Sequence, residues 1–229
     1  MQESANEPQA FCEDPLSLFF RARTKLYTLW LSAIYPFVSK GRNLSIHYAI
    51  KLSRCVASQI RLGNSVIIWE DVWLYIVPNN HSQVKIIIDD NCSIGARSTI
   101  SAKNLIHLEE NVIMATSILI QDHNHAYEDI SQPIRSQGVT KGGQIRIERG
   151  CWIGQGAAIV CNEGLLVIGR NSVIGANALV TRSCPPHSVI VGNPGRIARR
   201  FDAAKGTWIG GETGRPMPIQ LFHEDVSQI

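Results

Sequence analysis

The sequence predicts an all-β solenoid, a chain of short strands coiled around one axis, and three observations carry that reading. From residue 60 onward aliphatic residues recur every six positions: Leu62, Ile68, Leu74; Ile88, Ile94, Ile100; Leu108, Met114, Ile120; Ile147, Ile153, Ile159; and Ile168, Ile174, Val180. Two residues before these stands a second, smaller or apolar residue, as at Ile60, Val66, Val72, then Ile86, Cys92, Ser98, then Ile106, Val112, Ile118, and later Ile145, Cys151, Ala157. The slots between them carry Gly, Asn, Asp and Glu, in keeping with turns.

A six-residue step is not the face of a straight helix, whose faces return at seven or eleven residues. It suits a triangular coil in which each side is a short strand, each corner a turn, and one aliphatic side chain per side points inward. Three sides make a coil of about eighteen residues, and stacked coils bury a continuous aliphatic column.

Before the rhythm, residues 1–14, with Glu3, Glu7, Glu13 and Asp14, read as a mobile acidic tail. Arg21, Arg23 and Lys25 then precede "LYTLWLSAIYPFV", Leu26 to Val38, where Leu26, Leu29, Trp30, Ala33, Ile34 and Phe37 follow the three- and four-residue steps of an amphipathic helix. The stretch is too short to span a bilayer, and its basic flank lies too far into the chain for a signal peptide. Two placements fit it: packing on the main domain or a neighbouring subunit, or peripheral contact of residues 16–38 with an anionic membrane surface.

The expected organisation is an N-terminal tail and helical region over 1–59, the solenoid over 60–201, and a C-terminal tail over 202–229, in which Trp208 and Phe222 suggest partial packing. Within the solenoid the intervals Leu74 to Ile88, Ile100 to Leu108 and Ile159 to Ile168 exceed multiples of six and predict small corner insertions. The interval Ile120 to Ile147 holds one long polar loop, 121–146, and long loops on rigid scaffolds are where function concentrates.

Composition narrows the function. The 229 residues, 45% hydrophobic, can bury a large core. A net charge of +3 with 18% charged residues gives no broad basic field for nucleic acid. The six cysteines (Cys12, Cys55, Cys92, Cys151, Cys161, Cys184) form no CxxC pair, which argues against a zinc cluster or a disulfide scaffold and fits a reducing cytoplasm.

The motifs "SIGARSTI", "CWIGQGAAI" and "VIGRNSVIGANALVT", with aliphatic-Gly pairs at Ile94-Gly95, Ile153-Gly154, Ile168-Gly169 and Ile174-Gly175, resemble the hexapeptide-repeat acyltransferases. That resemblance implies a left-handed parallel β-helix, a homotrimer with sites between subunits, and acetyl-CoA as acyl donor with no metal. By it, a histidine at the start of the extended loop is the general base. His123 in "QDHNH" stands there, and His125 is the second choice. Imidazole suits the task because its ordinary pKa is near neutral.

Metal binding and a purely structural role are the competing readings of the histidine pair. His-x-His supplies only two ligands, and neither His107 nor His81 completes an obvious cluster. Asp122, Glu128 and Asp129 are all near enough in sequence to orient the imidazole, and sequence does not choose among them.

The stretch "LVTRSCPPHSVIVGNPGRIARRF", residues 179 to 201, is similar to the family's C-terminal signature. The resemblance places Arg182, Arg196 and Arg199 at coenzyme phosphates, which a guanidinium can hold with two donors; a solvated basic cap is the alternative. It also places Trp152 beside the thioester, backbone N–H groups around Gly154 and Gln155 near the acyl carbonyl, and Ala176 and Thr181 against the coenzyme. Trp152 reads equally as a subunit-contact aromatic.

Cys92 and Cys151 fall in inward slots and read as core filler, so direct transfer is expected rather than a covalent enzyme intermediate. The overall arrangement looks like bacterial O-acetyltransferases of surface polysaccharides, with a sugar or polysaccharide hydroxyl as acceptor and a cytoplasmic location at or near the membrane. N-acetylation of an amino sugar nucleotide or other small amine is the alternative. Behind it stand a non-catalytic scaffold and a carbonic-anhydrase-like metal enzyme.

Overall fold

The computed structural model describes residues 15–78 and 83–210. The acidic stretch 1–14, His81 and Phe222 lie outside the described residues.

The hexads stack as the sequence predicts. Three parallel sheets form the sides of a prism of six coils, with two of the sheets six-stranded and the other nine-stranded, and the coil matches a left-handed β-helix. On the first side Leu62, Ile88, Leu108, Ile147 and Ile168 lie in register. On the second, Ile68, Ile94, Met114, Ile153 and Ile174 do so, and on the third Leu74, Ile100, Ile120, Ile159 and Val180. These residues and their smaller companions are buried and make one continuous core.

Two corners of each prism layer are tight and repeat along the axis. Three residues after each inward aliphatic of the first side the backbone turns into the left-handed region, at Ser65, Asn91, Asn111, Gly150 and Asn171, with φ between 52° and 71°. Asn and Gly reach this region at low cost, which explains the turn-slot composition. The N–H of Asn91 donates to the Asn64 carbonyl one coil earlier at 2.8 Å, and that of Asn111 to the Asp90 carbonyl at 2.9 Å, so the corners are laddered like the strands. The aliphatic-Gly pairs have a separate cause. A Cβ on Gly95 would lie 2.0 Å from the Ala115 carbonyl oxygen, and one on Gly154 2.7 Å from the Ala176 nitrogen. Only glycine lets successive coils come this close.

The third corner absorbs every insertion. It holds residues 53–59, 77–85, 103–104, 122–143, 161–164 and 181–183 in successive layers. The long loop is therefore one level of a single edge, running from the end of strand Leu119–Gln121 to the start of strand Gln144–Ile147.

The first coil begins earlier than the expected boundary at residue 60. Strands Ser39–Lys40, Ser45–Ile46 and Lys51–Leu52 pair in parallel with the next layer. Its aliphatic rhythm is broken because exposed Lys40 occupies the column position beside Leu62, and a period count starting from aliphatic triplets misses it.

The helix spans Pro15–Ile34 and stops at the Tyr35-Pro36 step, where proline disfavours helical backbone in the residue before it. It packs through Thr24, Tyr27, Thr28, Leu31 and Tyr35, with Leu31 wholly buried. The Thr28 hydroxyl accepts the Ile46 N–H at 2.9 Å and lies 2.8 Å from the Thr24 carbonyl. It thereby satisfies the open edge of the first coil, an edge that would otherwise invite another strand. The stripe read from the sequence at Leu26, Leu29, Trp30 and Ile34 is not the packed one; it faces away and is exposed. At the other end, Ser188–Val191 adds to the second side, and Arg196–Asp202 and Thr207–Ile209 continue it antiparallel. Phe201 packs edge-on against His187 and Trp208.

Replacing Gly95 with Ala forces the coils apart and should lower the unfolding free energy by about 2 to 3 kcal/mol, read as a shifted midpoint in urea denaturation.

Candidate active site

Asp122 and His123 follow directly on the last residue of the strand Leu119–Gln121, where the chain leaves the third side. Asp122 is completely buried. Its Oδ1 accepts the Lys103 N–H at 2.7 Å, and its Oδ2 accepts those of Asn104 and Leu105 at 2.7 and 2.9 Å. These donors belong to the corner one coil earlier, so the carboxylate ties two layers of the inserted edge together. Three backbone N–H groups thus converge on one buried carboxylate.

The same Oδ1 lies 3.0 Å from His123 Nδ1. Oδ1 already accepts the Lys103 N–H, so Nδ1 is the donor in this contact, which leaves the lone pair on Nε2. His123 itself is 6% exposed. This is the arrangement of a base with its orienting acid. Of the three carboxylates named from the sequence, Asp122 is the one in contact. Asp129 serves the loop, accepting from the Ser131 hydroxyl at 2.6 Å and the Gln132 amide at 2.7 Å, while Glu128 accepts the Tyr127 N–H at 3.0 Å.

The loop that carries the histidine is pinned at both ends. Gly143 N–H donates to the Asp122 carbonyl at 2.8 Å. The Asn104 amide donates to the Lys141 and Gly143 carbonyls at 3.0 and 3.1 Å, and the Lys103 ammonium reaches the Thr140 carbonyl. Asn124 accepts from Gln121 at 2.9 Å and its N–H donates to the Thr140 hydroxyl at 3.0 Å. Lys103, Asn104 and Thr140 were not singled out from the sequence; their spacing from His123 carries no local signal, because the layers bring them together. His125 stands apart. It is exposed on the outgoing arm of the loop, bridged by backbone to Val139.

The coenzyme-directed residues divide between two places. Thr181 and Arg182 follow strand Leu179–Val180 and are exposed on the same inserted edge as His123, two coils further on. At the usual ladder spacing that is about 10 Å along the axis. Trp152, half exposed, stands on the second side between Ile113 and Val173. Gly154, Gln155 and Ala176 lie at the corner between the second and third sides, and Arg196 and Arg199 on the terminal antiparallel strand. The Gly154 N–H donates to the Ile174 carbonyl at 2.7 Å, so it is committed to the ladder. Trp152, Gly154, Gln155 and Ala176 thus lie across the third side from Thr181 and Arg182, whereas Gly195, next to Arg196, donates its N–H to the Leu179 carbonyl at 2.7 Å.

Four buried thiols sit in or against the core. Burial raises Cys92 and Cys151 to about 12 and Cys184 to about 11, and raises Cys161 as well. They are protonated at neutral pH and are not nucleophiles there. The second charged cluster, Asp89 with His107 at 2.6 Å and Arg61 at 3.5 Å, is a chain of side-chain contacts on the first side.

Comparison with known proteins bears on the fold and on the relatives of the chain. The model of the hexapeptide repeat of succinyl-transferase matches residues 85–118, 144–182 and 165–193. A Mycobacterium tuberculosis protein provisionally named an acetyltransferase is 26% identical over 162 residues, 69% of this chain and 48% of that one. A Staphylococcus aureus protein, provisionally named in the same way, is 41% identical over 68 residues, 30% of this chain and 33% of that one. An Escherichia coli protein provisionally named a lipopolysaccharide biosynthesis O-acetyl transferase is 24% identical over 129 residues, 54% of this chain and 64% of that one. The chain thus spans half or less of the length of the first two relatives. Among solved structures, the N-acyltransferase AntD of Bacillus cereus, in complex with dTDP and 3-hydroxybutyryl-CoA, superposes with a TM-score of 0.61 at 21% identity, over 74% of this chain and 86% of that one; this likeness shows the fold.

Two outcomes are expected. Asp122→Asn should lower the unfolding free energy by about 2 kcal/mol, since an amide cannot accept all of the buried donors, whereas Glu128→Gln should stay within about 0.5 kcal/mol; urea titration reads both. In the native chain at pH 8, iodoacetamide should label exposed Cys55 and leave Cys92 and Cys151 unmodified, because a thiol with a pKa near 12 is ionised to only about one part in ten thousand; peptide mass mapping reads the pattern.

Proposed function

We propose that this hexapeptide-repeat protein transfers an acetyl group from acetyl-CoA to a hydroxyl of a sugar, in the building of a surface polysaccharide. The observation that carries the reading is the imidazole of His123, held at the start of the long loop with its Nδ1 on a wholly buried carboxylate.

In this mechanism Nε2 takes the proton of the acceptor hydroxyl as the oxygen attacks the thioester carbonyl carbon. The tetrahedral intermediate collapses with cleavage of the carbon–sulfur bond. The imidazolium returns its proton to the departing thiolate, giving the acetyl ester and free coenzyme A. Asp122 stabilises the imidazolium between the two transfers. No protein thiol is required, in keeping with the raised pKa values of the buried cysteines.

Arg182 and Thr181 share the inserted edge with His123 and are assigned to the coenzyme, with Arg196 and Arg199 on its phosphates. Trp152, Gln155 and Ala176 stand on another side of the prism, so their assignment to the same coenzyme requires a second copy. A homotrimer supplies that geometry, and the exposed column Ile67, Ile113 and Trp152 on the second side gives it an apolar contact. The oxyanion donor is then the Gln155 N–H, since that of Gly154 is already engaged.

The E. coli relative bears the name of an O-acetyl transferase and the Bacillus neighbour that of an N-acyltransferase. A hydroxyl acceptor is preferred on the whole-chain resemblance, and an amino sugar is the second arm of the assay.

Thiol release from acetyl-CoA, measured across hydroxyl and amino sugars, nucleotide sugars and deacetylated polysaccharide, tests the proposal. Release should require an acceptor, and His123→Ala should reduce it by about two to four orders of magnitude with coenzyme affinity retained, while Arg182→Ala should chiefly weaken the coenzyme. Normal turnover of the His123 variant would remove it from the chemistry.

A further inference from the structure

Unopposed basic charge is concentrated in the helix and the first coils. From Pro15 to Trp69 the sequence holds eight basic residues, Arg21, Arg23, Lys25, Lys40, Arg42, Lys51, Arg54 and Arg61, and no Asp or Glu. Residues 70–210 hold 13 Lys and Arg against 12 Asp and Glu, so the rest of the solenoid is close to neutral, while Glu3, Glu7, Glu13 and Asp14 precede the helix in sequence. Six of the eight bases lie on the helix or the first coil, and Arg54 lies just beyond, its Nε donating to the Ile34 carbonyl at the helix end at 3.1 Å. The basic residues therefore gather at one pole, capped by the helix.

That helix also turns an apolar face outward. At about 3.6 residues per turn, the packed stripe through Thr24, Thr28, Leu31 and Tyr35 lies opposite Leu26, Leu29 and Trp30, which are 69%, 62% and 51% exposed. Leu16 and Phe19 extend the face toward the helix start at 63% and 61%. Arg23, on the same side by spacing, folds back with its guanidinium 3.7 Å over the Tyr48 ring, leaving the apolar face continuous. Beside the helix runs a cleft of about 720 Å³ against the second side, lined by Leu18, Phe20, Lys25, His47 and Trp69 among others. No helix among the described residues is long and apolar enough to cross a membrane.

We propose that this pole is a docking surface for an anionic lipid bilayer, with the helix lying in the plane of the interface. Leu16, Phe19, Leu26, Leu29 and Trp30 enter the acyl boundary, and Lys25, Arg42 and the neighbouring bases meet lipid phosphates. Basic residues flanking an apolar helix face bind such surfaces by the sum of buried apolar area and attraction to anionic headgroups. The positive pole sets the sign of the partner. His123 lies three coils from the first layer, about 15 Å along the axis, so docking holds the inserted edge close to the bilayer without burying it. The proposal does not depend on the chemistry assigned to His123.

Flotation of the full chain with vesicles tests it. The chain should float with phosphatidylcholine vesicles that contain phosphatidylglycerol and not with phosphatidylcholine alone, and added salt should weaken the association. Lys25→Gln combined with Arg42→Gln should lower the bound fraction by about fivefold per charge removed. Leu16→Ser, Phe19→Ser and Leu26→Ser together should abolish flotation while circular dichroism and sedimentation mass stay unchanged. Equal flotation with neutral vesicles, or none with either, would overturn the proposal. A fall in oligomer mass in the serine variant would overturn it too, by assigning the helix face to another copy of the chain.

Discussion

Parallel register between successive coils governs this molecule. Each side of the prism must set one aliphatic side chain directly above the last, as Leu108 sits between Ile88 and Ile147, because an offset of one residue would turn the inward column to solvent. Two corners are fixed by that demand, with a left-handed residue three positions after the inward aliphatic and glycine where coils approach. Added chain is tolerated where it leaves and re-enters the ladder at the same point, and all of it collects at the third corner. The long loop is thus a consequence of the repeat as well as an exception to it.

The same register explains why the loop is ordered enough to hold a base. Asp122 is the first residue past the strand, and the layer beneath presents three successive backbone N–H groups, at Lys103, Asn104 and Leu105, from a corner whose own insertion leaves them without ladder partners. A carboxylate satisfies all three, and its remaining capacity turns the adjacent imidazole. One buried side chain closes the edge, anchors the loop and sets the histidine tautomer. Structure and chemistry are coupled here, since the donors that fix the Asp122 carboxylate in place also fix the oxygen that orients the imidazole.

Much of this was legible in the sequence. The six-residue period gave the coils, the register of the inward columns and the position of the loop, because these depend on side-chain burial that repeats along the chain. The first coil was not legible, since Lys40 interrupts its column and the coil is completed by Thr28 of the helix rather than by a strand. The helix was visible but its packed face was not; Thr24, Thr28 and Tyr35 look polar in a pattern search, while the bulkier Leu26, Leu29 and Trp30 remain outside. His123 stood out from its place at the loop start, yet the choice of Asp122 over Glu128 and Asp129 required the layer below. The division of the coenzyme-directed residues between two sides of the prism was likewise hidden, because a repeat places residues by side and level and not by sequence distance.

The central claim, direct transfer by His123 to an acceptor hydroxyl, is tested most directly by following the acetyl carbon itself. The chain would be mixed with acetyl-CoA labelled with carbon-13 at the carbonyl and with the acceptor selected by thiol release, then quenched during turnover and examined by NMR and intact mass. The account predicts an ester carbonyl signal on the acceptor, no acetylated protein, and loss of the signal in the His123→Ala chain. An acetyl group found on a cysteine, or an ester formed equally well without His123, would contradict it.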